Sequence, residues 1–401
     1  MNSLAPGLTT SHTTTANLPV LDYTIITTDA GLATACAHWQ QSPALALDTE
    51  FMRVSTFYPE LGLLQIADAD AAAVTLVDPL GIRDWGPFRA LMLDERIVKV
   101  LHSCSEDLLV FFTFLGILPT PVFDTQIAGA LLNQGNSLSY QNLVKTRFGV
   151  DLPKGETRSD WLQRPLTPEQ LDYAALDVAY LYRCWQDQQS ALQQQGRHTW
   201  LQEECNRMLG NYESEFTHDY DDYYLNFKSG WQLRPRPLLA LQKLAVWREE
   251  RARKRNKPRS WILKDNALFA IANSMVSSRA QLATVEDVSD NFVRHEGDGV
   301  LALVQQAREA PEADCPPPLP QPLTNSEKQL LRRMQDLVEQ RAIELGLPQE
   351  ILGRKRALTP LLYAVLALQP GEMLDETELP DELIGWRREA ILHPLLKLLR
   401  P

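Results

Sequence analysis

The chain lacks the cysteine pattern of a disulfide-stabilised or thiolate-metal protein. Its five cysteines are odd in number, scattered and never spaced as C-x-x-C, which argues against a disulfide framework or a cysteine-ligated zinc and favours a reducing cytoplasm. A run of about 18 apolar residues is also missing, so no membrane-spanning helix is expected. The first residues have neither a basic start nor an apolar stretch, and no secretory signal is expected.

Net positive charge is missing as well. The 401 residues carry 39 Lys and Arg against 51 Asp and Glu, and a net charge of −12 makes the whole chain a poor candidate for binding a polyanion. The charge is uneven, however: residues 21–210 sum to −10, 211–231 to −4, 232–310 to +5 and 311–401 to −3. The densest basic run, residues 247–264, has eight basic and two acidic residues, so a local basic surface is expected.

The chain otherwise has the composition of a globular protein, with 44% hydrophobic and 22% charged residues, and its length suits two to four domains. Changes in composition predict a disordered tail over 1–20, an α/β domain over 21–212, an acidic connector over 213–231, helical domains over 232–311 and 324–401, and a Pro-rich linker over 312–323.

Short apolar runs indicate the strands of the first domain. The runs at 45–48, 61–68 and 73–78 are closely spaced and predict an antiparallel meander, whereas those near 98–102 and 121–123 alternate with helical stretches. This pattern predicts a mixed sheet with helices on its faces. After residue 230 the strand signals vanish, and a faint repeat with an offset near 90 residues suggests two copies of one small helical domain.

Carboxylates at the end of the first apolar run are the first candidate site residues. Asp48 and Glu50 are two residues apart, so on a strand both side chains point to the same face. Asp107 follows Ser103-x-x-Glu106, which resembles a capping box and would place Asp107 in the first turn of a helix. Each of these features alone is more typical of a solvated strand end or helix start than of a functional site.

A third candidate group lies on a predicted helix over 168–181. Thr167, Pro168 and Gln170 have the pattern of a capped helix start, and Tyr173 and Asp177 are then four residues apart on one face. Four converging carboxylates would repel one another unless cations neutralise them, and divalent cations that prefer oxygen ligands fit this set. Two such cations can assist an in-line phosphoryl displacement, with a tyrosine hydroxyl orienting the attacking water.

The set Asp48-x-Glu50, Asp107 and Tyr173-x-x-x-Asp177 resembles the DEDD exonuclease superfamily in its tyrosine subtype. The surrounding sequence is similar to the bacterial ribonuclease D family over about residues 21–400, most clearly at 48–53, 58–68, 102–111, 123–128 and 154–181. The two helical segments resemble the paired HRDC domains of that family.

The resemblance implies a ribonuclease H-like α/β exonuclease domain followed by two small all-α HRDC-like domains. It also implies a monomeric 3′→5′ exoribonuclease that releases 5′-mononucleotides from tRNA precursors and other RNA 3′ ends. Asp48, Glu50 and Asp177 would hold one Mg²⁺ or Mn²⁺, Asp48 and Asp107 would hold the second, and Tyr173 would position the water. The sequence leaves open a DNA exonuclease on the same scaffold and a silent RNA-binding scaffold.

Further residues are candidates for contacts with RNA. Phe51 and Tyr58 could stack on the terminal nucleotide, although core packing is an equal alternative. The remaining candidates are phosphate-binding or site-shaping residues before the catalytic helix and members of the basic run: Lys154, Arg158, Ser159, Trp161, Arg253, Lys254 and Arg255. Two other polar residues are expected to be structural, with Asp124 as a helix N-cap and His102 outside the motif.

Overall fold

The computed structural model describes residues 22–69, 73–153, 155, 159–217, 220–369, 372, 374 and 379–399. The tail over 1–20, which the composition predicts to be disordered, lies outside these residues. No helix within the described ranges is long and apolar enough to cross a membrane.

One sheet organises the first domain. Its strands are β1 Asp22–Ile26, β2 Ala44–Met52, β3 Glu60–Ala67, β4 Ala73–Val77, β5 Val98–Leu101 and β6 Val122–Asp124. They lie in the order β1-β4-β3-β2-β5-β6, with β2, β3 and β4 antiparallel and the β1–β4, β2–β5 and β5–β6 pairs parallel. The mixed sheet and its meander are confirmed. Strand β1 has no counterpart in the sequence prediction, because its five residues are mostly exposed and form no apolar run.

Helices surround the central strands. Up to residue 217 they are α1 Asp29–Trp39, α2 Gly86–Met92, α3 Ser105–Leu115, α4 Thr125–Leu131, α5 Tyr140–Phe148, α6 Pro168–Ala179, α7 Leu181–Gln194 and α8 His198–Thr217. Helices α3, α6 and α7 all pack against β2. The strand that carries Asp48 and Glu50 is therefore in contact with the helices that carry Asp107, Tyr173 and Asp177.

The acidic stretch over 213–231 is more ordered than its pattern indicates. Helix α8 extends to Thr217, and 3₁₀ turns follow at Tyr220–Asn226 and Gly230–Gln232. Tyr224 is buried in the core of the first helical domain. Aromatic packing thus orders a segment that has no helical apolar period.

Two groups of helices follow. The first helical domain contains α9 Pro235–Arg255, α10 Arg259–Ile262, α11 Asp265–Ser274, α12 Arg279–Ala283, α13 Asp290–His295 and α14 Gly297–Glu309. The second contains α15 Asn325–Leu345, α16 Gln349–Leu352, α17 Lys355–Ala367, a π-helical segment Arg388–Leu392 and α18 His393–Leu399. The starts of α9 and α15, of α10 and α16, and of α11 and α17 each lie 90 residues apart, so the internal repeat seen in the sequence recurs in the order and spacing of the helices.

Both helical domains contact the first domain through the end of their long helix. The side-chain Oδ1 of Asn256, which caps α9, accepts hydrogen bonds from the backbone N–H groups of Phe57 and Tyr58, each at 2.9 Å. Ninety residues on, the carbonyls of Leu345 and Gly346 at the end of α15 accept from the Arg197 guanidinium. The two repeats therefore use equivalent positions to dock on the first domain.

Two hydrophobic cores hold these units. One core is continuous from the sheet domain into the second helical domain, and the other is internal to the first helical domain. A buried ion pair between Glu204 and Arg387 joins the sheet domain to the second helical domain, and Trp386 stacks on Trp200 beside it. The first helical domain meets the rest mainly through polar and cation–π contacts around Asn256.

Candidate active site

Strand β2 presents two carboxylates on one face. Asp48 lies opposite Gln65 and Glu50 lies opposite Leu63 on β3, and a β-bulge follows directly between Glu50 and Phe51. The register confirms that Asp48 and Glu50 are alternate residues of one strand, so both side chains project from the same side of the sheet. The bulge shifts the register immediately after the second carboxylate, and β2 stays paired with β3 through Met52.

Helix α6 supplies the third carboxylate. Its start has the expected capping box, with the Thr167 hydroxyl accepting from the Gln170 N–H and the Gln170 side chain accepting from the Thr167 N–H. This fixed start, together with packing on β2, β3 and β4, aims Asp177 at the strand. One carboxylate oxygen from each of Asp48, Glu50 and Asp177 lies within 4.8 Å of the others.

Asp107 lies beside this group, in the first turn of α3. The capping box predicted for Ser103 and Glu106 is wrong: α3 begins at Ser105, and Ser103 has a left-handed φ of 57° and makes no capping bond. Asp124 accepts the N–H groups of Ser103 and Cys104 instead, as well as capping α4. Asp107 itself is buried and accepts a hydrogen bond from the Thr49 hydroxyl.

Thr49 is a residue that the sequence analysis missed. It lies between the two carboxylates of β2 and points its hydroxyl at Asp107, 58 residues further along the chain. Its position inside Asp48-Thr49-Glu50 is visible in the sequence, but its partner is not, because the contact joins a strand to a distant helix. Thr49 thus ties the fourth carboxylate to the strand that carries the first two.

The carboxylates have strongly perturbed proton affinities. Burial, and then the charges of Asp177 and Asp107, raise the pKa of Glu50 to about 9. Burial and three neighbouring carboxylates place the pKa of Asp48 well above its usual value. Burial also raises the pKa of Asp107 and of Asp177, each to about 7. Without a cation, the group therefore holds protons near neutral pH; a bound cation would displace them.

Tyr173 adjoins the acid cluster. It hydrogen-bonds Asp177 one helical turn away, and burial followed by the charge of Asp177 raises the pKa of Tyr173 above its usual value. The hydroxyl is therefore a stable donor at neutral pH. The Trp161 ring packs at 6.2 Å from the Tyr173 ring, and a Cβ added at Gly155 would come within 1.9 Å of it. Trp161 is 1% exposed, so it shapes the site from within the core.

Gly155 is a second residue that the sequence analysis passed over. Because its missing side chain makes room for the Tyr173 ring, any larger residue there would displace the ring or the loop. The two expectations for structural residues are confirmed: Asp124 is an N-cap, and His102 is held by Thr125 and by the carbonyl of Leu138.

The basic run is largely neutralised by carboxylates of its own domain. Arg253 and Arg259 both pair with buried Glu249, while Arg251 and Arg255 pair with Glu296. The expectation of a local basic surface along this run therefore needs correction, because four of its eight cations are paired with these two carboxylates. Of the three candidates for RNA contact, Arg253 is 9% exposed and engaged inside the domain, Arg255 is half-exposed and paired, and Lys254 is exposed.

The remaining RNA-contact candidates fall in different places. Phe51 and Tyr58 are half-buried, with Phe51 near the end of β2 and Tyr58 in the loop before β3. Tyr58 packs edge-on against Phe57 at 4.9 Å, and its N–H binds Asn256. Ser159 is half-buried just before Trp161, whereas Lys154 and Arg158 lie outside the described residues.

Comparisons with known proteins agree with this geometry. A family model described as a 3′-5′ exonuclease matches residues 23–193, and an HRDC domain model matches residues 238–304. The sheet domain with its acid cluster is therefore a 3′-5′ exonuclease domain, and the first helical domain is an HRDC domain.

Relatives at high coverage make the assignment more specific. Ribonuclease D of Pseudomonas paraeruginosa is 43% identical over 92% of this chain and 96% of its own length, and that of Escherichia coli is 36% identical over 95% and 99%. The crystal structure of the Escherichia coli enzyme, an exoribonuclease involved in structured RNA processing, superposes with a TM-score of 0.85 at 35% identity, covering 94% of this chain and 99% of that one. The chain belongs to the ribonuclease D family of 3′→5′ exoribonucleases.

Proposed function

We propose that this exoribonuclease trims the 3′ ends of tRNA precursors and other RNAs in the cytoplasm, as a monomer, releasing 5′-mononucleotides by two-metal-ion hydrolysis. The observation that carries the proposal is the convergence of Asp48, Glu50 and Asp177 within 4.8 Å, with Asp107 alongside. An uncompensated acid cluster of this kind is costly to bury, which points to a cationic occupant.

The donor set suits hard divalent cations. All four ligand candidates offer carboxylate oxygen and none offers sulfur or imidazole, which favours Mg²⁺ or Mn²⁺ over zinc. Asp48, Glu50 and Asp177 would hold one ion, and Asp48 with Asp107 the other. When bound, such a pair of cations activates the attacking water and stabilises the leaving 3′-oxygen.

The protein's own groups supply orientation. Tyr173 keeps its proton, because its pKa is raised, so its hydroxyl positions the water and does not abstract a proton from it. Trp161 and the space at Gly155 fix the ring from which that hydroxyl projects. Thr49 fixes Asp107 by donating to its carboxylate.

RNA contacts are proposed at the mouth of the site. Phe51 and Tyr58 have exposed surface next to β2 and could stack on the 3′-terminal nucleotide. Ser159 and the neighbouring Lys154 and Arg158 would bind phosphate before the catalytic helix. In the basic run, exposed Lys254 is the better candidate, since Arg253 and Arg255 are held by carboxylates.

We further propose that the second helical domain is also HRDC-like. The support is the offset of 90 residues between three successive helix starts, and the equivalent docking of the α9 and α15 ends.

The test is an exonuclease assay on 5′-labelled, single-stranded RNA and on DNA of the same sequence, with a precursor tRNA bearing a 3′ extension as the biological substrate. With Mg²⁺ or Mn²⁺, the RNA should shorten stepwise from its 3′ end and release 5′-mononucleotides. EDTA, Asp48→Asn and Asp177→Asn should each abolish shortening, whereas an exposed-site change such as Arg294→Gln should not.

Three outcomes would contradict the proposal. Preferential degradation of DNA would favour the DNA exonuclease alternative, and full activity in EDTA would remove the metal assignment. Binding of RNA without shortening under any divalent cation would favour the silent scaffold.

A further inference from the structure

A large open cleft lies between the exonuclease domain and the first helical domain. Its volume is about 950 Å³, and one wall is the loop that follows β2 while the other is formed by the turns around α10 and the start of α11. Charged and aromatic side chains line it, among them Arg53, Phe57, Arg248, Arg259, Lys264 and Asp265.

Cations outnumber carboxylates in this cleft. The four lining cations Arg53, Arg248, Arg259 and Lys264 face a single lining carboxylate, Asp265. Three of these cations are ion-paired: Arg248 with Asp265, Arg259 with Glu249 and Lys264 with Asp287. Among the described residues that line the cleft, cations therefore outnumber carboxylates, and Arg53 adds a guanidinium from the exonuclease domain.

The cleft is built next to the catalytic strand and is held in place. Arg53 is three residues beyond Glu50, which places it within about 10 Å of that residue along the chain. The guanidinium groups of Arg253 and Arg259 each lie 4.9 Å from the centre of the Phe57 ring. Together with the hydrogen bonds to Asn256, these contacts fix the loop to the first helical domain.

We infer that this cleft binds the phosphodiester backbone of the RNA upstream of its 3′ end. The inference deepens the proposed function and rests on it, because it assigns the chemistry of a polyanionic strand to a cationic groove beside the acid cluster. Guanidinium and ammonium groups at the groove wall match phosphate oxygens in charge and donor geometry. The RNA would thus bridge the two domains that Asn256 and Phe57 hold together.

Substrate length separates this site from the catalytic one. A dinucleotide has one phosphodiester, which must occupy the acid cluster to be cut, so it leaves no phosphate for the cleft. Arg53→Gln, Lys264→Gln and the double variant should therefore cleave a dinucleotide with unchanged kcat/KM but lose kcat/KM on a 12-nucleotide RNA. The matched control is Arg294→Gln. Arg294 is an exposed cation of the first helical domain, like Lys264, but it does not line the cleft.

The salt dependence of RNA binding gives the expected size of the effect of each substitution. Each lost single-strand phosphate contact should lower the slope of log Kd against log salt by about 0.7, so the salt-induced loss of affinity between about 50 and 200 mM shrinks by about 2.6-fold per contact. Fluorescence anisotropy of the 12-nucleotide RNA in EDTA measures this slope without turnover. An unchanged slope in the double variant, or an equal loss of kcat/KM on the dinucleotide, would overturn the inference. If the wild type binds RNA but does not shorten it, the proposed function fails while the anisotropy slopes still decide the cleft.

Discussion

Replacing Thr49 by valine removes one hydroxyl between the two carboxylates of β2. That hydroxyl donates to the Asp107 carboxylate, and both side chains are buried, so water cannot replace the lost donor freely. The proposed metal ligand Asp107 should then be less well oriented and harder to deprotonate, because the hydrogen bond from Thr49 lowers the pKa of Asp107. We expect weaker metal binding with the exonuclease fold retained.

The magnitude follows from the type of bond. A hydrogen bond to a charged group contributes about 1.5–3 kcal/mol, which corresponds to a roughly 10- to 100-fold change in metal affinity. Changes in residues that orient metal ligands give effects of the same size. The deficit should be larger at about pH 6 than at about pH 9, since Asp107, with a pKa near 7, is ionised in both proteins at the higher pH.

The assay is a Mg²⁺ titration of RNA shortening at several pH values, with Mn²⁺ binding measured separately by calorimetry. Thr49→Ser keeps the hydroxyl and should behave much like the wild type. Thr75→Val makes the same chemical change on β4, which β3 separates from β2, and serves as the control. If Thr49→Val has the wild-type half-saturating Mg²⁺ concentration at every pH, Thr49 does not orient Asp107 for the metal.

Three further predictions address the same site. Tyr173→Phe should lower kcat about 10- to 100-fold without changing the half-saturating Mg²⁺ concentration; normal turnover would remove the positioning role of the hydroxyl. Gly155→Ala should lower kcat similarly, because its Cβ would overlap the Tyr173 ring; wild-type kcat would show that the loop accommodates the methyl group. In EDTA, the thermal midpoint should fall as pH rises from about 6 to about 9. The unfolded chain loses the Glu50 proton at about pH 4.3, whereas the folded chain holds it until about pH 9. The free energy of unfolding therefore declines as pH rises between these two values. Glu50→Gln should flatten this decline, and an identical pH profile in that variant would contradict the assignment.

Short-range periodicity was sufficient to predict much of the site. The i, i+2 spacing of Asp48 and Glu50 and the i, i+4 spacing of Tyr173 and Asp177 depend only on strand and helix geometry, and both are present in the structure. The capped start of α6 is equally local. That these elements converge could not be derived from spacing; it followed from the family resemblance.

Contacts between distant segments account for what the sequence did not reveal. The bond from Thr49 to Asp107 spans 58 residues, and no local pattern encodes it. The capping box expected at Ser103 fails for the same reason. The carboxylate of Asp124 satisfies the N–H groups there, and a left-handed Ser103 cannot also cap the helix.

The basic run shows how tertiary pairing changes a charge argument. Counting residues gave eight cations against two acids, yet Glu249 and Glu296 between them engage Arg251, Arg253, Arg255 and Arg259. The pairing of Arg253 with Glu249 could be predicted from the sequence, because Arg253 follows Glu249 by four residues on α9. Glu296 lies 41 residues beyond Arg255, and its effect could not be foreseen.

The net charge of −12 does not oppose RNA binding at the distances that matter. At physiological salt the Debye length is about 8 Å, so an approaching phosphate senses mainly the groups within roughly that range. Near the acid cluster, bound cations would offset the carboxylates; in the cleft, Arg53 and Lys264 stand at the surface where cations are in excess. RNA affinity should therefore depend on the number of phosphates these local surfaces neutralise, and the slope of affinity against salt, which counts those contacts, is more informative than the isoelectric point.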